Sequence, residues 1–375
     1  MSSVEQLMKT PLHQWHVSNN GRMVDFAGWS MPVQYSSIVD EHHQTRNAVG
    51  MFDVSHMGRL FFSGANVGEF LDSLTTRRVA GVETGKVRYS LMAKEDGCIL
   101  DDVLVYLLPD ANGNPFHMMV VNASNREKIV NWINSHIPSD SDIVLEDKTA
   151  SSAMIAVQGP KANAVVAGLA GINPDDLGYY TGTTSTVCGV EAIVSRTGYT
   201  GEDGCELIVE SEHAEKIWLA VHEAASAVGG GASGLAARDT LRLEAAMPLY
   251  GHELSETTNV AQTGLRFAVQ MKDRTFIGKD AILAGRKDES LPVRIGLQLD
   301  GKRVAREEAD ILDPDSGKIG TVTSGTFSPT LQKSISMGYI KREHSAAGTK
   351  IVIDIRGRHY DAVVVELPFY DRNNK

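Results

Sequence analysis

The sequence predicts a mixed α and β protein that ends in a small antiparallel β-barrel. Up to about residue 247, strand-like segments alternate with segments of helical periodicity. A charged, proline-containing stretch at 285–294, GRKDESLPVR, is typical of a linker. Beyond it, short apolar segments such as VRIGLQL, SISMGYI and HYDAVVVEL are separated by turn signals, which indicates a small barrel. A length of 375 residues allows two or three domains at roughly 150 residues per domain.

The elements before the linker follow from local signals. Thr10 followed by Pro11 predicts an N-cap and a first helical position, and that helix is expected to end near residues 18–21. The remaining predictions are helices over 37–49, 125–137, 213–228 and 235–247, a strand over 117–124, a strand, turn and helix over 153–162, and two strands around a glycine turn over 190–210. In the barrel, Arg356-Gly357-Arg358 predicts a hairpin turn.

Composition excludes several classes of protein. A net charge of −11 argues against general binding of nucleic acids, although it is compatible with a local basic patch. Three cysteines without metal-ligand spacing fit a reducing compartment. The N-terminus has no apolar core of a secretory signal, and no apolar run approaches the ~20 residues of a spanning helix. We therefore expect a soluble cytoplasmic protein with neither a membrane nor a nucleic acid as partner.

Two adjacent aspartates stand at the start of an apolar strand, GCILDDVLVY. Because side chains alternate across a strand, Asp101 shares a face with Val103, whereas Asp102 shares the opposite face with Leu104. The two carboxylates therefore have different surroundings, and Gly97 permits the tight turn before them. A plainer interpretation is that both aspartates cap this turn in solvent.

The segment RTGYTGEDGCELIV contains a glycine-rich turn and a carboxylate at the start of an apolar strand. Glu206 is costly there unless it is paired, and a ligand with two adjacent N–H donors would satisfy it. The alternative is a hairpin with solvated acids, which suits Glu202 and Asp203 better than Glu206. Arg238, among alanines and leucines, also needs a partner, either Asp239, Glu244 or another internal acid, or a bound anion.

Other signals of chemistry are weak. GGGASG at 229–234 lacks the Lys-Ser/Thr of a phosphate-binding loop and follows a helix, so a turn is the better interpretation. His42 and His43 face apart on a helix, and His13 and His16 have no acidic or cysteine companions in sequence. We expect no metal site and find no nucleophile motif.

Six segments in chain order carry a family resemblance: DFAGWSMPVQY, GMFDVSHMG, GCILDDVLVY, RTGYTGEDGCEL, GLAARDTLRLEA and SGTFSPTLQKSISMGYI. Together they closely resemble the folate-dependent aminomethyltransferases of the glycine cleavage system, the T-proteins, from about Thr10 to Phe369. The resemblance implies an α+β fold. A folate-binding region of two interleaved lobes (1–284) would precede a C-terminal antiparallel β-barrel (291–375) in a cloverleaf arrangement.

The same resemblance implies a reaction. The lipoylated H-protein would present an aminomethyl group on sulfur, and tetrahydrofolate would take its carbon to give 5,10-methylenetetrahydrofolate, ammonia and dihydrolipoyl H-protein. Asp102 matches the family's catalytic aspartate. The positions matching the family's folate-binding residues are Glu206 at the amide edge of the pterin, Arg238 at either the pterin carbonyl or the acidic tail, Tyr199, Tyr89, Tyr106, Met57, Asn122 and, at the glutamate tail, Arg372.

The sequence differs from the family motifs at a few positions, and two alternative functions are compatible with it. Cys98 stands where relatives usually have a second glycine, and Arg266-Phe267 stands where they often have Ser-Trp. The alternatives are a folate-dependent demethylase of a small sulfonium or amine, and a folate-binding module without catalysis. A surface cluster of Lys272, Arg274 and Lys279 is a candidate contact for an acidic partner protein.

Overall fold

The computed structural model describes residues 7–313 and 317–374. The α-helices within them are α1 His13–Ser18, α2 Ile38–Asn47, α3 Val67–Leu74, α4 Arg126–His136, α5 Ala162–Ala167, α6 Ala214–Ser226, α7 Leu235–Glu244 and α8 Lys279–Gly285. The first thirteen strands are β1 Arg22–Phe26, β2 Trp29–Gln34, β3 Gly50–Asp53, β4 Gly58–Ser63, β5 Lys86–Ala93, β6 Ile99–Pro109, β7 Pro115–Val121, β8 Val144–Asp147, β9 Ser152–Gln158, β10 Gly182–Val187, β11 Val190–Ser195, β12 Gly204–Glu210 and β13 Gly231–Ala232. The others are β14 Val293–Leu299, β15 Asp310–Asp313, β16 Gly317–Ser328, β17 Lys333–Ile340, β18 Lys350–Ile355 and β19 Arg358–Val365.

The chain divides into two compact units that do not follow its order. The first unit contains the chain up to Phe70, Val79–Arg88 and Val103–Arg238. The second contains Leu71–Arg78, Tyr89–Asp102 and the chain from Asp239 onward. Strands β5 and β6 therefore each contribute residues to both units.

The first unit is built on a mixed six-stranded sheet in the order β10-β11-β12-β9-β3-β13. Its central strand β9 is buried at every residue, because β12 and β3 pair with its two edges and helices cover its apolar side chains. Trp218 of α6 is fully buried in this core. The unit also holds β4, β7 and β8 of a five-stranded sheet in the order β5-β6-β7-β4-β8.

The second unit contains a closed barrel in the order β14-β17-β16-β15-β18-β19. Alternate apolar side chains fill it, including the fully buried Leu297, Ile311 and Ile353. This confirms the expectation of a C-terminal antiparallel barrel within a mixed α and β chain. Strand β15 was not predicted from the sequence, because it has only four residues and an aspartate at both ends.

A separate apolar cluster of the second unit surrounds the turn between β5 and β6. It contains Leu91, Ile99 and Ile282, all fully buried. Gly97 has φ of +79°, and an added Cβ would lie 2.8 Å from the Asn259 side chain and 3.1 Å from a backbone nitrogen. The turn before the aspartates therefore requires glycine, for both its backbone conformation and its close packing.

The N-terminal helix begins later than its sequence signal indicates. Helix α1 starts at His13, and Leu12 occupies the N-cap position. The Thr10 hydroxyl instead donates a 2.6 Å hydrogen bond to the buried carboxylate of Asp53. A tertiary contact thus takes the side chain that the local pattern assigned to a helix cap.

No helix among residues 7–313 and 317–374 combines the length and apolarity needed to cross a bilayer.

Candidate functional site

The two adjacent aspartates occupy different environments. Asp101 is fully buried, whereas Asp102 is half-buried, as alternation along β6 predicts. Both aspartates lie within the extended strand, so the interpretation in which both cap a turn in solvent is wrong. Asp101 belongs to the interior, and Asp102 is the carboxylate on the accessible face.

Asp102 accepts a hydrogen bond from a tyrosine of the neighbouring strand. The Tyr89 hydroxyl lies 3.0 Å from Oδ2 of Asp102. The Tyr89 ring packs against the apolar cluster of the second unit and stacks on Phe267, with ring centroids 5.7 Å apart and an interplanar angle of 30°. Phe267, which stands where relatives often have tryptophan, is therefore linked to Asp102 through one intervening residue, Tyr89.

In the first unit, Glu206 is a buried carboxylate with few partners. It is 4% exposed on β12 and accepts a hydrogen bond from the Thr197 hydroxyl, which also contacts the Ser195 hydroxyl at 2.8 Å. Burial raises the pKa of Glu206, while the Thr197 hydrogen bond and the charge of Arg238 oppose this rise. A carboxylate in this setting readily accepts further N–H donors.

Tyr106 presents a second buried polar group beside Glu206. Its ring is fully buried, and its hydroxyl has no hydrogen-bond partner of normal geometry within the described part of the chain. Burial, and then the negative charge of Glu206, raise the pKa of Tyr106 well above its ordinary value, although the nearby hydroxyls of Thr197 and Ser195 oppose this rise. The hydroxyl is therefore held neutral and can act as a donor or an acceptor.

Arg238 supplies a third such group. Its Nη1 is buried and has no hydrogen-bond partner among the described residues. The guanidinium carbon lies 5.0 Å from the Tyr199 ring centroid and 5.9 Å from that of Phe52. Burial lowers the pKa of Arg238, and the negative charge of Glu206 counteracts this effect. Asp239 instead bonds Arg242 at 2.8 Å, so Asp239 is not the partner of Arg238, and the internal acid whose charge acts on Arg238 is Glu206.

The acids of the glycine turn are paired rather than solvated. Glu202 is 5% exposed and forms an ion pair of 3.1 Å with Arg46. Asp203 binds Arg196, whose Nε lies 3.0 Å from its Oδ1. The solvated interpretation is thus wrong for Glu202, and the turn that precedes Glu206 is fixed by two ion pairs.

Met57 and Asn122 lie at the same end of two paired strands. Gly58 of β4 pairs with Val121 of β7, and Met57 precedes the first while Asn122 follows the second. Both side chains are half-buried. This register brings two of the expected ligand-wall residues to one sheet end.

The loop that carries Met57 is held by residues that sequence patterns did not identify. Asp53 accepts hydrogen bonds from His16 at 2.8 Å, from Thr10 and from the backbone N–H of Ser55 at 2.9 Å. These contacts, led by that of His16, lower the pKa of Asp53 to about 2 despite complete burial. Only the motif GMFDVSHMG pointed towards this loop, and the expectation that His16 has no acidic companion is wrong.

Arg59 fixes the same loop from its other end. Its fully buried guanidinium donates to the carbonyl oxygens of Met57, Ser55 and Thr149 and to the Ser152 hydroxyl. Burial lowers the pKa of Arg59 to about 10. Arg59 thus joins backbone carbonyl groups of this loop to the start of β9.

Two predicted surface features have different outcomes. Arg372 begins a 3₁₀ turn and is half-buried. The basic cluster proposed for a partner is wrong at Arg274, because that side chain is 2% exposed. It bonds Asp72 at 3.0 Å and donates to backbone carbonyl groups. Lys272, in contrast, is 89% exposed.

Comparison with known families places the chain. A model of the GCVT N-terminal domain matches residues 12–273, and a model of the glycine cleavage T-protein C-terminal barrel domain matches residues 293–371. The chain belongs to the aminomethyltransferase family of the glycine cleavage system. It is therefore a transferase of this family, and the resemblance found in the six sequence segments is confirmed.

Individual relatives cover almost all of the chain. The aminomethyltransferase of Chloroherpeton thalassium is 43% identical over 97% of this chain and 99% of its own length. That of Thermotoga maritima is 40% identical over 97% and 98%. A crystal structure of glycine cleavage system aminomethyltransferase T from Bartonella henselae matches with a TM-score of 0.90 at 30% identity, covering 98% of this chain and 99% of its own.

Proposed function

We propose that this protein transfers the one-carbon unit of an aminomethyl group, carried on the lipoyl arm of H-protein, to tetrahydrofolate. The products are 5,10-methylenetetrahydrofolate, ammonia and dihydrolipoyl H-protein. The observation that carries the proposal is the buried Glu206 carboxylate, together with the buried Nη1 of Arg238 and the buried hydroxyl of Tyr106. Neither of these two atoms has a hydrogen-bond partner of normal geometry among the described residues. These groups occur in a member of the aminomethyltransferase family that covers 99% of the length of a relative at 43% identity.

The chemistry of these three groups fits a pterin. The pterin has an amide edge with adjacent N–H donors, which a carboxylate such as Glu206 accepts in a fork. It also has a carbonyl oxygen, for which the unsatisfied Nη1 of Arg238 is a suitable donor. A flat heterocycle would cover these polar atoms and remove the cost of burying them alone. We assign Glu206 to the amide edge and Arg238 to the carbonyl.

Asp102 is the proposed catalytic residue. Tetrahydrofolate supplies the nucleophilic nitrogen when it is bound. The Asp102 carboxylate stabilises positive charge that develops on that nitrogen, and a carboxylate fixed in advance lowers such a barrier by several kcal/mol, about 3 for a single group. It is also suited to accept the proton that is released. The hydrogen bond from Tyr89 limits the orientations of the carboxylate.

The remaining assignments are of contact residues. Tyr199, Met57 and Asn122 are proposed to wall the flat rings, as is Tyr89. Arg372 is proposed to bind the acidic glutamate tail. The stacking of Tyr199 on Arg238 and the shared sheet end of Met57 and Asn122 support three of these assignments.

Reaction with defined substrates tests the proposal. Purified protein is mixed with aminomethylated H-protein and tetrahydrofolate, and ammonia is measured. We expect ammonia release in the wild type and a loss of at least 100-fold in turnover for Asp102→Asn. Glu95→Gln is the matched control, because Glu95 is an exposed acid in the turn before β6. Methyl transfer from a sulfonium or amine would establish the demethylase instead, and folate binding without either reaction would establish the non-catalytic module.

Binding measurements test Glu206 separately. Glu206→Ala removes the acceptor of two N–H donors, so tetrahydrofolate affinity should fall by about 1–3 kcal/mol in titration calorimetry. Glu210→Ala is the matched control, because Glu210 ends the same strand but is exposed. Equal affinities of Glu206→Ala and wild type would contradict the assignment of the pterin edge.

A further inference from the structure

One aromatic ring of the second unit stands in solvent on a firmly anchored turn. Phe267 is 60% exposed, the highest value among the large exposed apolar side chains of the described chain. It belongs to the 3₁₀ turn Arg266–Ala268. On either side of it, Leu265 is 6% exposed and Ala268 is fully buried. The position of Phe267 is therefore set by its neighbours in the core and not by burial of its own ring.

A hydrogen bond across the unit fixes this turn further. The Thr76 hydroxyl donates to the carbonyl oxygen of Ala268 at 2.7 Å, and the Ala268 N–H donates to the carbonyl oxygen of Leu265 at 3.0 Å. Because Thr76 is 1% exposed, its hydrogen bond is shielded from water. The Phe267 ring thus projects from a rigid support.

The exposed ring has a specific contact. Phe267 stacks on Tyr89 at a centroid distance of 5.7 Å and an angle of 30°, which lies in the range of favourable offset stacking. Tyr89 in turn donates its hydroxyl hydrogen to Oδ2 of Asp102 at 3.0 Å. Two contacts therefore connect an exposed phenylalanine to the proposed catalytic carboxylate.

The stack restricts the movement that would break the hydrogen bond. Tyr89 is half-buried, so part of its ring lacks the packing that holds a core side chain in one rotamer. Its hydroxyl lies at the far end of the ring, where a small change in side-chain torsion moves the oxygen by more than the tolerance of a hydrogen bond. A second ring stacked on Tyr89 opposes this change.

We propose that Phe267 is a positioning residue for the transfer reaction: it holds the Tyr89 ring so that its hydroxyl orients the Asp102 carboxylate. The inference rests on the proposed role of Asp102. It adds a residue that acts on Asp102 through Tyr89.

The test compares four variants in the complete reaction with aminomethylated H-protein and tetrahydrofolate. Phe267→Ala removes the stacked ring, and Phe267→Trp restores an aromatic face. Tyr89→Phe removes the hydroxyl, and the double variant Phe267→Ala/Tyr89→Phe tests whether the two residues act together. Val144→Ala, at another exposed apolar residue, is the control and should keep wild-type activity.

We expect Phe267→Ala to lower kcat by about 10-fold, as for a small misplacement of a catalytic group, and to leave KM for H-protein within about twofold. Phe267→Trp should recover most of the turnover. In the Tyr89→Phe background, Phe267→Ala should cause no further loss of kcat. The melting temperature should stay within about 2 °C of wild type, because Phe267 is largely exposed.

Three results would overturn the inference. Unchanged kcat in Phe267→Ala would remove the residue from the reaction. An equal loss in the wild-type and Tyr89→Phe backgrounds would show an effect that does not pass through Tyr89. A rise in KM for H-protein with unchanged kcat would assign Phe267 to partner contact. Failure of the proposed function is distinguishable, since it would appear as full activity of Asp102→Asn or as absence of ammonia release in the wild type.

Discussion

The guanidinium of Arg238 lies 5.0 Å from the ring centroid of Tyr199, while its buried Nη1 meets no hydrogen-bond acceptor in the described chain. The aromatic face stabilises the cation, but it does not satisfy the N–H group. Arg238 therefore combines a fixed position with an unused donor. That combination is expected of a side chain that donates a hydrogen bond to a ligand.

Replacement of Arg238 tests this expectation. Arg238→Met keeps the length of the side chain and removes both charge and donors. We expect tetrahydrofolate affinity to fall by about 2 kcal/mol in titration calorimetry, since hydrogen bonds to charged groups are worth that much. Arg22→Met, at an exposed arginine, should leave affinity unchanged. An equal loss in both variants would contradict a specific role for Arg238.

Asp53 should make stability depend on pH in acid. Its pKa is lowered from 3.8 to about 2 in the fold, so folding favours the ionised carboxylate. The ionised Asp53 therefore contributes fully to the free energy of unfolding above pH 3.8, and this contribution disappears as the pH falls through about 2. The free energy of unfolding of wild type should exceed that of Asp53→Asn by about 3 kcal/mol at pH 6. The gap should narrow between pH 4 and pH 2, and urea titrations at each pH would reveal a constant gap if this prediction were wrong.

Arg59 should be intolerant of even a conservative change. Lysine has its three donors on a single nitrogen. It therefore cannot reproduce the hydrogen bonds that the separate nitrogens of Arg59 donate to the carbonyl oxygens of Met57, Ser55 and Thr149. We expect Arg59→Lys to lower the free energy of unfolding by about 3 kcal/mol. Arg126→Lys, in a partly exposed pair with Asp147, should cost less than about 1 kcal/mol. Chemical denaturation of both variants provides the comparison.

Gly204 should be required where the turn enters β12. Its φ is +152°, and an added Cβ would lie 2.2 Å from the carbonyl oxygen of Val157. Gly204→Ala should therefore destabilise the protein by more than about 3 kcal/mol. Gly113→Ala changes a glycine that also has positive φ but has open space around it, so only the backbone cost of about 1 kcal/mol is expected. Similar losses in the two variants would show that the close contact relaxes easily.

Much of the architecture could be predicted because it follows from the local periodicity of apolar residues. Alternation along β6 correctly separated Asp101 from Asp102, and the apolar repeats after the linker indicated a barrel. The start of α1 was wrong because a buried partner, Asp53, competes for the Thr10 hydroxyl. Local patterns hold no information on which distant side chain will take a hydroxyl.

The site was predicted less completely for the same reason. Glu206 stood out as a carboxylate in an apolar strand, so its burial could be anticipated. The pairing of Glu202 with Arg46 joins residues 156 positions apart, and no local spacing indicates it. The roles of His16 and Arg59 likewise depend on contacts made only in the folded chain.

The alternation from Asp101 to Val105 along β6 has a consequence for how the sequence of this protein can vary. Deleting or inserting one residue between Gly97 and Asp101 would shift the strand by one position and exchange the faces of its two carboxylates. Asp102 would then point into the interior, and every following side chain of the strand would lie on the opposite face of the sheet. Variation in this segment is therefore confined to substitution, and any viable change of length must come in pairs of residues.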